Sequence, residues 1–164
     1  MTVPSAPHVR LRAAGPADAE PLTALVRDAY EHFVPRIGGE PGPMRQDQAE
    51  LIRRGGVSVL HHGGKVVAVI VLALGDEGFL VENVAVHPTQ QGRGYGRRLL
   101  QHAEDEARSR GFDSLYLYTH RAMTENQALY ARLGYRTYDE RTVDGAPLVF
   151  MRKHLRTCEI VRPS

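Results

Sequence analysis

The chain has 164 residues, 42% of them hydrophobic and 24% charged, which is ordinary usage for one globular domain and excludes collagen-like, disordered and membrane-embedded compositions. Its 21 Lys and Arg against 19 Asp and Glu leave a formal net charge of +2, too balanced for a protein that coats nucleic acid, so any basic site must be local. No run approaches the roughly 18–20 apolar residues that span a bilayer, the opening MTVPSAPHVR lacks the apolar centre of a secretory signal, and the lone Cys158 has no partner thiol. The expectation is a single domain over 1–164 in a reducing cytoplasm, without a nucleic-acid or membrane partner.

His8–Ala14 alternates weakly and closes at Gly15-Pro16, the pattern of a short first strand. Asp18 and Glu20 open a helix over about 17–33, with Leu22, Leu25, Val26, Ala29 and Phe33 at helical spacing. The prolines and glycines of 35–43 predict a loop, and a shorter helix over about 44–54 stops at Gly55-Gly56. VSVLHH, KVVAVIVLAL and FLVENVAV then read as antiparallel strands joined by glycine turns. A long helix over about 94–110 carries Leu99, Ala103 and Ala107 on one stripe and ends at Gly111. SLYLYT at 114–119 is a strand, Thr124–Leu133 a short helix, and Tyr135–Thr142 with Pro147–Leu155 a final strand pair, after which the chain is expected to fray. The order βααβββαβαββ describes a mixed α+β sheet with helices on its faces, and the helix between FLVENVAV and SLYLYT predicts one parallel pair.

The most informative stretch is His87-Pro-Thr-Gln-Gln-Gly-Arg-Gly-Tyr-Gly96, which joins an apolar strand to the long helix. Gly92, Gly94 and Gly96 leave the backbone bare where the free N–H groups of a helix's first turn point outward, so an anion such as pyrophosphate can approach closely. Arg93, Arg97 and Arg98 crowd the same N-terminus, where cations are unfavourable by about 0.3–1 kcal/mol each, and a phosphate-bearing ligand would reverse that sign. GxxxxGK[ST] is absent, and the GxGxG spacing is not the GxGxxG of a dinucleotide fold, so ATPase and hydride chemistry are disfavoured. The eight histidines form no recognisable metal-ligand pattern.

Glu82 and Asn83 interrupt a strand that is otherwise apolar on both faces, read as Phe79, Val81, Asn83 and Ala85 on one and Leu80, Glu82, Val84 and Val86 on the other. A buried carboxylate needs hydrogen-bond partners or a raised pKa, and a raised pKa suits a general base; pairing with one of the many arginines is the competing explanation. Asn83 reads as structural. Asn126 and Tyr130 stand at i and i+4 on one helix face, where an amide can pair with a ligand's amides and a phenol can donate a proton to a leaving group.

Gln91-Gly-Arg-Gly-Tyr-Gly96 resembles the Q/RxxGxG/A signature of the GCN5-related N-acetyltransferase (GNAT) family, and Glu125-Asn-Gln-Ala-Leu-Tyr-Ala-Arg-Leu-Gly-Tyr135 resembles its second hallmark. The similarity covers roughly 57–155. It implies a splayed, mostly antiparallel sheet with helices on both faces, in which acetyl-CoA lies between strands 79–86 and 114–119. The backbone of Val84, Ala85 and Val86, with Val84 and Val86 foremost, would pair with pantetheine. The amides of Gln91, Gly92, Arg93, Gly94, Tyr95, Gly96 and Arg97 would hold the pyrophosphate. Asn126 would contact the CoA arm, Tyr130 would protonate the departing thiolate, and Glu82 would take the amine's proton. The implied reaction is direct acetyl transfer to a primary amine in a ternary complex, without a metal. The alternative is a non-catalytic acyl-CoA-binding module, and the exposed edges of a mixed sheet offer a route to a homodimer.

Overall fold

The computed structural model describes residues 8–156, so Cys158 and the expected fraying of the last eight residues lie outside the described residues. Seven strands form one sheet: β1 (Arg10–Ala13), β2 (Val57–His62), β3 (Lys65–Gly75), β4 (Gly78–Val86), β5 (Ser114–His120), β6 (Arg136–Val143) and β7 (Ala146–His154). Their spatial order is β1-β2-β3-β4-β5-β7-β6. Every neighbouring pair is antiparallel except β4 with β5, which is the parallel pair the crossover helix requires. The last strand therefore inserts beside β5 and leaves β6 as a free edge.

The helices differ from the sequence reading between 31 and 54. The first helix, α1 (Ala19–Tyr30), is shorter than expected and flanked by 3-10 turns at Pro16–Asp18 and Glu31–Phe33. The expected loop contains two single helical turns, α2 (Val34–Ile37) and α3 (Gly42–Arg45). Both begin with Pro35 or Pro43 in the first turn, where a missing N–H costs nothing and the fixed φ suits a helix. The single helix expected over 44–54 is instead split at Gln46, whose ψ of 141° is extended. A separate α4 (Gln48–Arg54) follows, capped by the Asp47 carboxylate, which accepts from the N–H of Glu50 at 3.3 Å. Beyond this region α5 (Tyr95–Ser109) and α6 (Thr124–Arg132) lie close to their predicted limits.

Two layers of apolar side chains cover the sheet. On one face Leu22, Leu25 and Val26 of α1 pack against Val59, Val69 and Val71, with Ala85 of β4 joining them. On the other, Leu99, Leu100, Ala103 and Ala107 of α5 pack against Ile70, Phe79, Val81, Leu115 and Leu117, and Tyr130 and Tyr135 complete that layer. A third group, Leu80, Tyr116 and Phe150, lies on the part of the sheet formed by β4, β5 and β7.

Two irregularities of the sheet set up everything that follows. The β4–β5 ladder has only three rungs, Phe79 with Leu115, Leu80 with Tyr116 and Val81 with Leu117, after which the strands part. At that point β4 also bulges: Val71 faces Asn83 and Leu72 faces Val81, so Glu82 is the extra residue. The bulge corrects the two-face reading of this strand. It turns Asn83 onto the same side as Leu80, Glu82 and Ala85, while Val84 and Val86 join Phe79 and Val81 against α5.

Candidate active site

The parting strands open into a cleft of about 1000 Å³. Its walls include Glu82, Asn83 and Val84 of β4, Tyr118, Thr119 and His120 of β5, and Asn126 and Tyr130 of α6. The second part of its lining comes from the α2–α3 region and from the β3–β4 and β6–β7 turns.

The backbone of β4 beyond the bulge is half used. The N–H of His87 donates to the carbonyl of Val67 at 2.9 Å, so alternation of an antiparallel ladder turns the polar groups of Val86 and Val84 away from β3 and toward the parting. Ala85, between them, directs its backbone to β3 and its side chain to α1, so it supplies no group to that side. The Val84 carbonyl lies 3.3 Å from the Tyr30 hydroxyl, and the Val86 carbonyl accepts from Gln91 Nε2 at 3.3 Å. A carbonyl has a second lone pair, and among the described residues the N–H groups of both valines remain open to a ligand strand.

Gln91 thereby ties the glycine-rich turn to β4. Gly92 and Gly94 have φ of 81° and 83°, where an L side chain is strained, and a Cβ at either position would meet nothing within 4 Å. Gly94 caps α5, and the first bond of the helix runs from the N–H of Arg98 to its carbonyl at 3.0 Å. The N–H groups of Tyr95, Gly96 and Arg97 are therefore the unmatched donors of the first turn. Among the described residues neither Arg93 nor Arg97 enters an ion pair, whereas Arg98 points elsewhere and donates to the carbonyl of Val9 at 3.1 Å. Gly96 has an ordinary φ, and a Cβ there would touch Val86 at 3.8 Å. Open amides, bare α-carbons and two uncommitted guanidinium groups fit a pyrophosphate.

On the opposite wall Tyr130 is buried and packs edge-on to Tyr135, with ring centroids 6.0 Å apart. Burial raises its phenol well above the usual tyrosine range, so the group stays protonated. Asn126, one turn earlier, makes only a long contact from Nδ2 to Met123 Sδ at 3.6 Å, leaving its carbonyl oxygen unengaged among the described residues. Arg36 bonds both oxygens of Glu125 at 2.9 Å and clips α2 to the start of α6 across the opening.

Glu82 is not an isolated buried carboxylate. Arg54 pairs with its Oε2, and Gln46 Nε2 donates to its Oε1 at 3.0 Å. The alternative weighed from sequence, an arginine partner, is thus present, and Glu82 still lines the cleft. Asn83 accepts from the Tyr30 hydroxyl at 2.5 Å, while its Nδ2 is buried without a partner among the described residues. Sequence reasoning assigns Tyr30 only to the acceptor side of the site and misses Gln46, Arg54 and Tyr118. Tyr118 lines the same cleft as Glu82, and burial, reinforced by the charge of Glu82, raises its phenol. His120 has no acidic partner among the described residues; its Nδ1 accepts from the N–H of Ala122 at 3.0 Å, and burial with nearby Arg121 holds the imidazole below its usual range. Among the described residues there is no grouping of three or more side chains suited to a metal ion, and no helix is long and apolar enough to cross a membrane.

This geometry is that of an acyl-CoA N-acyltransferase fold, and the comparisons agree. The model of the acetyltransferase (GNAT) family matches residues 21–135, and the chain belongs to that family. It is 48% identical over 56 residues to N-alpha-acetyltransferase 80 of Mus musculus, covering 34% of this chain and 17% of that protein. It is 38% identical over 79 residues to an IAA acetyltransferase of Azospirillum brasilense, covering 47% and 52% of the two chains. Against the ribosomal protein bS18-alanine N-acetyltransferase of Escherichia coli K12 the identity is 34% over 76 residues, 46% of this chain and 51% of that one. The chain thus spans about half, or less, of the curated relatives it matches. Among solved structures, the PaiA N-acetyltransferase of Thermoplasma acidophilum in complex with coenzyme A has a TM-score of 0.76 at 19% identity, covering 90% of this chain and 99% of that one. The E. coli ribosomal-protein-S18-alanine N-acetyltransferase has a TM-score of 0.71 at 20% identity, covering 96% and 100%.

Proposed function

We propose that the protein transfers the acetyl group of acetyl-CoA directly to a primary amine in a ternary complex. The observation that carries this reading is the cleft opened by the β4–β5 parting, lined by the buried phenol of Tyr130, with β4 leading on to the glycine turn at the head of α5. Acetyl-CoA supplies an acetyl thioester, whose C–S bond breaks as the amine nitrogen bonds to the acetyl carbon. Val84 and Val86 bind the pantetheine arm as a substitute strand, and the amides from Gln91 to Arg97 bind the pyrophosphate. Asn126 orients the arm. Tyr130 gives its proton to the departing sulfur, and Glu82 receives the proton lost by the amine, directly or through water.

The second half of the cleft supports an amine acceptor. Glu40, Asp76 and Asp144, each from a different connection, line it without an ion-pair partner among the described residues, and Tyr118 and Phe150 give it an aromatic wall with ring centroids 5.4 Å apart. Such a lining attracts an ammonium group and an apolar stem.

The test begins with calorimetric titration of acetyl-CoA. Saturable binding is expected, and at about 100 times Kd it raises the melting temperature by roughly 5–11 °C. Gly94→Val forces a β-branched residue into a left-handed conformation and places methyl groups in the cradle, so at least a tenfold weaker Kd is expected; an unchanged Kd would remove the cradle from the argument. An amine screen with thiol detection follows, including a peptide with an N-terminal alanine because that acceptor is named for the bS18 enzyme. Acceptor-dependent thiol release is expected. Tight binding with no release for any amine would favour the non-catalytic alternative. With an amine in hand, Glu82→Gln is expected to abolish the acidic limb of the pH–rate profile, and a superimposable profile would retire Glu82 as the proton acceptor.

A further inference from the structure

The geometry points to Arg54 and Gln46 as a two-point clamp on Glu82, with Arg54 acting from behind the cleft wall as a positioning residue for the proton-accepting carboxylate. This rests on the proposed reading of Glu82 and gives a role to the break in the segment expected to be one helix over 44–54.

The clamp is built from the split between α3 and α4. An unbroken helix through Gln46 could not project that side chain along an extended backbone. The break is braced: Gln48, 3% exposed, places Nε2 3.4 Å from both the Pro43 and Gln46 carbonyls, and Asp47 caps the helix that follows. Gln46 then reaches Glu82 Oε1 at 3.0 Å from the start of this unit, and Arg54, its last helical residue, reaches Oε2 from the other end. Gln46 lines the cleft and Arg54 does not, so the guanidinium leaves the approach from the cleft open.

Arg54 is 46% exposed, and a pair of that kind contributes little to folding. Its effect is on the carboxylate. A carboxylate has about four lone-pair positions, and the clamp engages two, leaving others for the acceptor's proton or a bridging water. The groups that face Glu82 are Arg54 from α4, Gln46 from the break and, from β5, the Tyr118 phenol; the neighbouring Asn83 amide is engaged by Tyr30.

The experiment compares wild type, Arg54→Met, Arg54→Lys and Gln46→Leu, with Glu82→Gln used to assign the Glu82 resonance in protein labelled with 13C at glutamate carboxyls. In Arg54→Met the carboxyl resonance of Glu82 at neutral pH is expected to leave its wild-type position, and Lys is expected to return most of the change. This measurement needs no acceptor. With an accepted amine, kcat/KM on the acidic limb is expected to fall about tenfold in Arg54→Met while the acetyl-CoA Kd stays constant, and Gln46→Leu is expected to lower kcat at every pH. Superimposable Glu82 resonances and rates in wild type and Arg54→Met would overturn the clamp even if Glu82→Gln behaves as a lost base. A displaced Glu82 resonance with an unaffected Glu82→Gln profile would instead overturn the base reading, so the two failures are distinct.

Discussion

Tyr130→Phe is expected to lower kcat about a hundredfold while leaving the acetyl-CoA Kd within about twofold. The ring is held by burial and by its edge contact with Tyr135, and phenylalanine keeps both. The hydroxyl makes no hydrogen bond to another described residue, so its removal strands no buried partner and the melting temperature should move little. What is lost is one proton. Because burial raises the phenol above its usual range, the neutral donor form persists through neutral and moderately alkaline pH, and Tyr130 should add no limb of its own to the profile there. An unchanged kcat, or a loss of rate that merely follows a loss of acetyl-CoA affinity, would remove Tyr130 as the acid.

The largest stability effect is expected at Gly56. It has φ of +85°, and a Cβ there would stand 2.2 Å from the backbone oxygen of Leu72, whose own N–H donates to the Gly56 carbonyl at 2.8 Å. No side-chain rotation relieves that overlap, so the backbone of β3 must move. Gly56→Ala is expected to cost about 3 kcal/mol or more and lower the melting temperature by roughly 6–12 °C. Gly55→Ala is the control, since its φ of +91° is equally unfavourable but its Cβ would meet nothing within 4 Å. Equal losses in the two variants would show that the overlap is absorbed locally. A larger loss at Gly56 should also reduce the activity of the folded fraction, because Leu72 flanks the bulge that aims Glu82.

The strands and long helices were legible because their signals are local. Glycine turns separated the strands of the central meander, and Leu99, Ala103 and Ala107 marked the buried stripe of α5. The parallel pair followed from the crossover. Three features were hidden, each for its own reason. The bulge at Glu82 depends on where β3 pairs, and a strand apolar on both faces carries no alternation from which a one-residue slip could be read. The helical turns at Pro35 and Pro43 were taken for loop because proline excludes a helix interior but suits its first turn. The break at Gln46 has a local sign, Asp47 with Glu50 three residues on, which a helix bounded only by the proline segment and by Gly55-Gly56 leaves unused.

The candidate site was legible in the same measure. The turn at Gly92 and Gly94 before α5, and the place of Asn126 and Tyr130 on α6, follow from motifs that sit at element ends, whose geometry is fixed by the chain itself. Arg54 and Gln46 were not recoverable, since their meeting with Glu82 joins positions 28 and 36 residues apart through the packing of a helix on a sheet. Nor was the placement of β7 between β5 and β6, which gives the cleft its aromatic wall.

The open side of β4 presents main-chain groups, and so does the turn before α5. A site built of peptide units asks little of side-chain chemistry at those positions. It asks instead for a particular backbone path, set by Gly92, Gly94 and the bulge. Substitutions at Val84, Val86, Arg93 or Tyr95 should therefore be absorbed as graded changes, whereas a change of path at any of three points is abrupt. Drift of sequence can pass through such a site while the ligand it receives stays the same, and selectivity is free to be rewritten in the other half of the cleft, where side chains make the wall.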